Sequence, residues 1–332
     1  MSARSIVDRL KAGEVLVMDG GTGSELQRRG INISKGATTE KRPTAPPKFA
    51  STTVPGVTYR STTGLGVWSA PANLDAPDVV RQIHEDYLKV GAEILISNTF
   101  YTSRAMLSKI GEQDRWEEYA RRGVELAVQA RDALNPNATI AGGFAPPFTG
   151  DLKAEFENSS RVLAEAGVDW LLPEYMGGDT IHKSPIEDCV TAVEACGKTG
   201  LPVFLGVCNV KDDGNMLYGE TLEELVSALK GHRVDGIFLM CTQPAGISAG
   251  LPKLRKAFKG PIGAYAELGY EENPKFGTSA GEQFFVVEKL GYTPERYAEF
   301  ALEWKKMGAQ VIGGCCATGP EHIKAVHEIL KD

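Results

Sequence analysis

Six cysteines fall in the second half of the sequence: Cys189, Cys196, Cys208, Cys241, Cys315 and Cys316. Three of them stand where a short apolar run ends. Cys241 follows Asp235-Gly-Ile-Phe-Leu-Met240, and the pair Cys315-Cys316 follows Ala309-Gln-Val-Ile-Gly-Gly314. Adjacent cysteines bridge each other badly, because disulfide geometry does not suit a peptide-linked pair. Thiolates are instead good ligands for Zn²⁺, which in catalytic sites takes three protein ligands and keeps a fourth position open. Cys241, Cys315 and Cys316 supply that number, and Gly313 and Gly314 are expected to bend the backbone so that both neighbouring sulfurs face one point. An all-thiolate zinc is a weak Lewis acid toward water or carbonyls and is better matched to a soft fourth ligand such as a substrate thiol. A free thiol is only ~3% ionised at pH 7, so coordination gains at most ~30-fold, or about 2 kcal/mol. Most of the rate must then come from holding donor and acceptor in line, which supplies roughly 7–11 kcal/mol.

Such sulfurs converge only if the runs that carry them are neighbours in a sheet. Eight short apolar runs recur, at 14–18, 93–97, 138–143, 169–173, 201–207, 235–240, 261–265 and 309–314. Amphipathic stretches separate them at 77–90, 113–134, 151–166, 180–198, 221–230, 249–258 and 293–307, and a last one covers 320–330. Continuous apolar strands each followed by a helix indicate parallel pairing with both faces covered. Eight such units predict a single (β/α)₈ TIM-type barrel domain over 1–332, with its active face at the C-terminal strand ends. Every second strand is entered through a related phrase: Gly91-Ala-Glu-Ile-Leu, Gly167-Val-Asp-Trp-Leu, Arg233-Val-Asp-Gly-Ile and Gly308-Ala-Gln-Val-Ile. The small residue suits a helix C-cap, and the polar one suits a turn into the strand. The long stretch 30–76 after strand one is rich in Pro, Thr, Ser and Gly and reads as a lid-like insertion over the active face.

Composition narrows the function. The 332 residues carry 36 Lys+Arg against 43 Asp+Glu, a net charge of −7. That balance argues against nucleic acid, which requires a basic face. No run of about 18 apolar residues suggests a membrane span. The N-terminus lacks a signal-type apolar block, so the expected location is cytoplasmic.

The other strand ends offer further polar groups: Asp19-Gly20-Gly21 after strand one, Asn98-Thr99-Phe100-Tyr101 after strand two, and Glu174-Tyr175 after strand four. The glycine-rich turn has no Gly-Lys-Ser/Thr and fails the G-x-G-x-x-G spacing, which argues against phosphate. Trp68, Tyr101 and Tyr175 are candidates for an aromatic cage around a cation, each contact worth about 0.5–2 kcal/mol. His84, His182, His232, His322 and His327 fall in helical or loop stretches and suggest no second metal.

From Met18-Asp-Gly-Gly-Thr-Gly to Gly313-Gly-Cys-Cys-Ala-Thr318-Gly-Pro320 the sequence resembles the homocysteine S-methyltransferases, zinc-dependent (β/α)₈ enzymes that make methionine. The resemblance implies Cys241, before Thr-x-Pro, as zinc ligand with Cys315 and Cys316. Cys208 occupies a slot that is usually Ser or Thr and is not counted; Cys189 and Cys196, seven apart on one helix face, read as packing. Glu174 looks like the acid that pairs with the homocysteine amino group, and Asp19 with the backbone of Gly20 and Gly21 resembles the family's amino-acid contact. Trp68 sits where both the S-methylmethionine and betaine branches carry a Trp. The phrases beginning at Asn98 and ending at Tyr175 look more like the betaine branch, which makes Asn98 and Tyr101 substrate-side candidates as well. Tyr265-Ala-Glu267-Leu-Gly-Tyr-Glu-Glu-Asn273 departs from the family's Tyr-Pro-Asn phrase and leaves the donor open. The implied reaction is methyl transfer from a small cationic donor to homocysteine with Zn²⁺ as cofactor; oligomeric state is left open. A non-catalytic thiol or amino-acid binding barrel is one alternative. A barrel lyase or aldolase is another, but it requires a Schiff-base Lys or a His/carboxylate metal set, and neither stands at a strand end.

Overall fold

Each expected apolar run forms a strand whose side chains are buried on both faces. In the computed structural model, which describes residues 5–33, 35–36, 66–178, 184–268 and 291–331 and the backbone of 271–272 and 283–284, these are β1 (Leu16–Val17), β2 (Ile94–Ile96), β3 (Thr139–Phe144), β4 (Trp170–Pro173), β5 (Phe204–Cys208), β6 (Gly236–Met240), β7 (Ile262–Ala266) and β8 (Ala309–Gly314). All pair in parallel, in one run β1-β8-β7-β6-β5 and a second run β2-β3-β4. Single bridges close the two seams, Met18 with Ile94 and Leu171 with Val203. The result is a closed eight-stranded barrel. Residues 37–65 of the lid expected at 30–76, the first residues of the helix expected from 180, and His182 lie outside the described residues.

The barrel has two apolar layers. Inside, Leu16, Trp170, Phe204, Phe238 and Val311 share one cluster, and the helix α1 (Ile6–Lys11) adds Ile6 and Leu10 to it. Because α1 precedes β1, it plugs the end of the barrel opposite the strand C-termini. Outside, the strands' other faces pack under the ring of helices. That ring includes α4 (Pro77–Lys89), α6 (Trp116–Leu134), α7 (Leu152–Ala166), α8 (Pro185–Gly197), α10 (Pro244–Ala257), α11 (Pro294–Lys306) and α12 (Pro320–Lys331). Proline opens α4, α8, α10 and α11, where its missing N–H leaves no hydrogen bond unmade.

The repeated phrases have a more specific use than turning the chain. Gly91, Gly167 and Gly308 adopt left-handed φ after their helices, and in the remaining phrase Gly231 takes that role two residues before Arg233. The acids that follow cap the preceding strand. Glu93 accepts from Val17 N, Asp169 from Ile140 N at 2.7 Å and Asp235 from Val203 N at 2.9 Å. Gln310 departs from this and donates to Leu10 O, tying β8 to the plug helix.

Two elements depart from expectation. A helix, α2 (Thr22–Arg28), follows β1 directly, where only a glycine-rich turn was expected. Helix α10 starts at Pro244, five residues earlier than expected, because Gly246, Gly250 and Pro252 obscure its periodicity. Gly246 is small for a packing reason: a Cβ there would collide with the Val210 carbonyl. Among the described residues no helix is long and apolar enough to cross a membrane.

Candidate metal centre and substrate pocket

Strands β6, β7 and β8 are consecutive in the sheet, so the chain segments leaving β6 and β8 flank that leaving β7. Cys241 N donates to Tyr265 O at 3.1 Å, and Cys315 N donates to Ala266 O at 2.9 Å. The three sulfurs meet as a result: Cys315 to Cys241 is 3.1 Å, Cys241 to Cys316 is 3.9 Å and Cys315 to Cys316 is 4.0 Å. They form the one cluster of metal-ligating side chains among the described residues. A tetrahedral ion about 2.3 Å from each sulfur sets its ligands about 3.8 Å apart, so this spacing fits such an ion with small adjustment of the closest pair.

The glycines before the cysteine pair do not bend the chain as expected. Gly313 and Gly314 are ordinary strand residues; they are small because a Cβ at Gly313 would meet Met18 and the Asp19 carbonyl, and one at Gly314 would meet Thr318. The turn comes later, at Ala317, with φ of +68°. Ser24 and Arg28 of α2 hold it, accepting from Ala317 N at 2.9 Å and donating to Ala317 O at 2.5 Å. Thr318 Oγ1 donates to Cys315 O at 2.7 Å and closes the loop. Cys241 itself has φ of +41°. A left-handed, non-glycine backbone costs about 1–3 kcal/mol and persists where the surroundings over-determine it.

The packed sulfurs perturb one another. Cys316 is pulled below the usual thiol range by hydrogen bonds from Cys241 and then Cys315. Cys241 is pushed well above it by its contacts with Cys315 and Cys316 and by burial. The opposite directions have one cause, the hydrogen bonds the three sulfurs share.

Two acids sit beside this cluster. Glu174 is buried, and burial, then the proximity of Cys315, pushes it up to about 8. Tyr265 opposes that shift by donating its hydroxyl to Glu174 Oε1 at 3.0 Å. Gly143 and Gly206 leave the space, since a Cβ on the first would meet the Glu174 carboxylate and one on the second the Tyr265 hydroxyl. Asp19 is fully buried; one oxygen accepts from Ile96 N at 2.9 Å and the other has no partner among the described residues. Burial pushes it well above the usual carboxylate range, and Glu174 adds to the effect. Neither acid has a basic partner among the described residues.

The glycines after Asp19 serve close packing. A Cβ on Gly20 would meet the Tyr87 hydroxyl, one on Gly21 the Cys315 carbonyl, and one on Gly23 the Trp68 indole. The Gly21 N–H is already directed at Thr318. Trp68, half-buried with φ of +49°, joins Phe100 and Tyr175 around a small apolar cluster. Phe100 and Tyr175 meet edge-on at 6.2 Å. Tyr101 lies behind them, 2% exposed, against Phe100 and Phe148, so Phe100 is the half-buried ring of the pair. Asn98 is buried, and its amide donates to Ser69 O and Asn73 Oδ1.

With this geometry in view, the sequence model described as homocysteine S-methyltransferase matches residues 16–330. The chain belongs to the homocysteine S-methyltransferase family. It is 26% identical to a maize relative, homocysteine S-methyltransferase 2, across 96% of this chain and 91% of that one. It is also 26% identical to bovine betaine–homocysteine S-methyltransferase 1, across 98% of this chain and 75% of that one. The fold matches the Escherichia coli homocysteine methyltransferase MmuM in its metallated form with a TM-score of 0.70 and 21% identity, covering 97% and 98% of the two chains. As a family member the chain is a methyltransferase, and the lyase or aldolase alternative falls away.

Within this homocysteine S-methyltransferase the remaining cysteines are structural. Cys208 is fully buried inside the barrel, and Cys189 and Cys196 lie on the buried face of α8, where burial pushes both thiols up. Two residues near the centre were not singled out as site residues from the sequence. Glu267, one position past β7, is pushed up to about 7 by burial and by Cys315, and the strand-end rule that found Glu174 would have found it. Tyr297 on α11 is fully buried; its hydroxyl donates to Gly313 O at 2.7 Å and accepts from Ala266 N at 3.1 Å. Nothing in a helical Tyr signals that role.

Proposed function

We propose that this protein transfers a methyl group from a small cationic donor to the thiol of homocysteine, giving methionine, at a zinc ion held by Cys241, Cys315 and Cys316. The observation that carries the reading is the arrangement of three sulfurs within 4.0 Å beside two buried acids, Glu174 and Asp19, with no basic partner among the described residues. Cys241, Cys315 and Cys316 would hold the ion, and the chemistry it would supply is ionisation of the incoming thiol, a gain of at most ~30-fold in thiolate at pH 7. The amino-acid end is held by the protein. Glu174, oriented by Tyr265, accepts the homocysteine ammonium, and the unpartnered oxygen of Asp19 offers a second acceptor. An arriving cation offsets the burial that raises both acids, so they ionise as the substrate seats. Trp68, Phe100 and Tyr175 present ring faces suited to a sulfonium or quaternary ammonium. The thiolate then attacks the donor methyl carbon, its bond to nitrogen or sulfur breaks, and the donor leaves neutral.

On this reading the chain is one homocysteine-binding barrel over 1–332, with 30–76 as an insertion after the first strand. Bovine betaine–homocysteine S-methyltransferase 1 names one donor, and the Trp68 position is equally consistent with S-methylmethionine. The test is metal analysis of protein purified under reducing conditions, followed by homocysteine with betaine, dimethylated sulfonium acids, S-methylmethionine or S-adenosylmethionine. About one zinc per chain and methionine from one donor support the proposal. Zinc with no methionine from any donor overturns it in favour of a thiol-binding barrel.

A further inference from the structure

Trp68 holds a backbone conformation that a tryptophan does not adopt by preference, and the surrounding hydrogen bonds explain why it stays there. Asn73 is fully buried at the start of α4's leading turn (α3, Ala72–Asp75). Its amide nitrogen donates to Asn98 O at 2.8 Å and to Tyr119 O at 2.9 Å. Both partners are carbonyls, so only the NH₂ end of Asn73 fits there, and its oxygen must face Asn98. Asn98 donates to that oxygen at 2.8 Å, and its other amide hydrogen goes to Ser69 O at 3.1 Å. The chain of bonds therefore has one orientation. It runs from α6 through Asn73 and Asn98 to the residue after Trp68. Gly123 of α6 is small because a Cβ there would meet Asn73 and the Asn98 carbonyl. The Trp68 indole itself rests on Gly23, where a Cβ would overlap the ring.

We propose that Asn98 and Asn73 are positioning residues that clamp Trp68 against Gly23, fixing the indole as a wall of the methyl-donor pocket. Asn98, at a strand end facing the pocket, thus acts through Trp68, with both amide hydrogens already engaged by protein. This inference rests on the proposed methyl transfer for its kinetic consequence but not for its structural one. Gly23 belongs to the clamp because it defines the surface the ring lies on.

The test uses the zinc-loaded full chain with Asn98→Ala, Asn73→Ala, Gly23→Ala and Trp68→Ala, and betaine and S-methylmethionine as donors. Of the four tryptophans, Trp116, Trp170 and Trp304 are buried and Trp68 is half-buried, so acrylamide quenching of fluorescence reports mainly on Trp68. Asn98→Ala releases the backbone beside Trp68 and Gly23→Ala displaces its ring, and both should increase quenching. Each should raise KM for the active donor by about tenfold, the equivalent of one lost buried hydrogen bond, while KM for homocysteine and zinc content stay within about twofold. In the Trp68→Ala background Asn98→Ala should add less than about twofold, since residues acting through one contact are non-additive. Should Asn98→Ala fail to fold, Gly23→Ala, which introduces one methyl at a helix start, still carries the test. Unchanged quenching in the variants overturns the clamp, as does an equal rise in both KM values or a full Asn98→Ala effect without Trp68. If no donor turns over in the unmodified protein, the proposed function fails while quenching still decides the clamp.

Discussion

The Tyr265 hydroxyl donates to the Glu174 carboxylate at 3.0 Å, and both side chains are buried within the barrel mouth. Tyr265 is the group that favours the charged form of Glu174 against the burial that opposes it. Tyr265→Phe removes that bond without changing packing. A hydrogen bond to a charged group contributes about 1.5–3 kcal/mol, so KM for homocysteine should rise by about 10- to 100-fold. Zinc content and the donor KM should hold, as measured by steady-state kinetics with each substrate varied. An unchanged homocysteine KM would remove Glu174 from the amino-acid site.

Metal retention follows from the sulfur triangle. Cys315→Ala and Cys316→Ala together leave one thiol, so zinc per chain should fall below about a tenth of the unmodified value after dialysis. A zinc ion held by the proposed triangle would bind only the folded state, so added zinc should raise the unmodified protein's thermal midpoint and leave that of the double variant unmoved. Calorimetry with and without added zinc reads both.

Tyr297 is bound at both ends of its hydroxyl, to Gly313 O and Ala266 N, between the strands that lead into Glu267 and Cys315. Tyr297→Phe removes two hydrogen bonds to buried backbone groups where β7 and β8 pair, a net cost of about 0.5–1.5 kcal/mol each. The unfolding midpoint in urea should drop accordingly. Zinc should also pass faster to a chelator at a temperature where both proteins are folded. A stability loss with an unchanged release rate would confine Tyr297 to the scaffold.

His84 on α4 is fully buried with neither ring nitrogen partnered among the described residues, and burial lowers its pKa to about 4. The unfolded chain binds a proton below about pH 6.5 that the folded chain accepts only near pH 4, so stability is lost as pH falls through this window. Between pH 7 and pH 5 the loss amounts to about 2 kcal/mol. His84→Leu should remove this component and flatten the dependence of the urea midpoint over that range. An equal acid sensitivity in the variant would assign the effect to other groups.

The strands, their order and the strand-end cysteines were legible because parallel strands covered on both faces must be apolar throughout, and each is punctuated by a cap or turn residue at its end. That pattern is local, so the sequence by itself determined the barrel and marked Cys241, Cys315, Cys316, Asp19 and Glu174 as its active-face residues. The tertiary structure decided what local pattern does not contain. Gly313 and Gly314 are small because β1 and Thr318 press on them, Asn98 turns its amide toward Ser69, and Tyr297 reaches across from a helix to two strands. In each case the partner is distant along the chain or set by the pairing of separate elements. A hydrogen bond or a steric limit has direction and range only in space, whereas hydrophobic periodicity is written residue by residue.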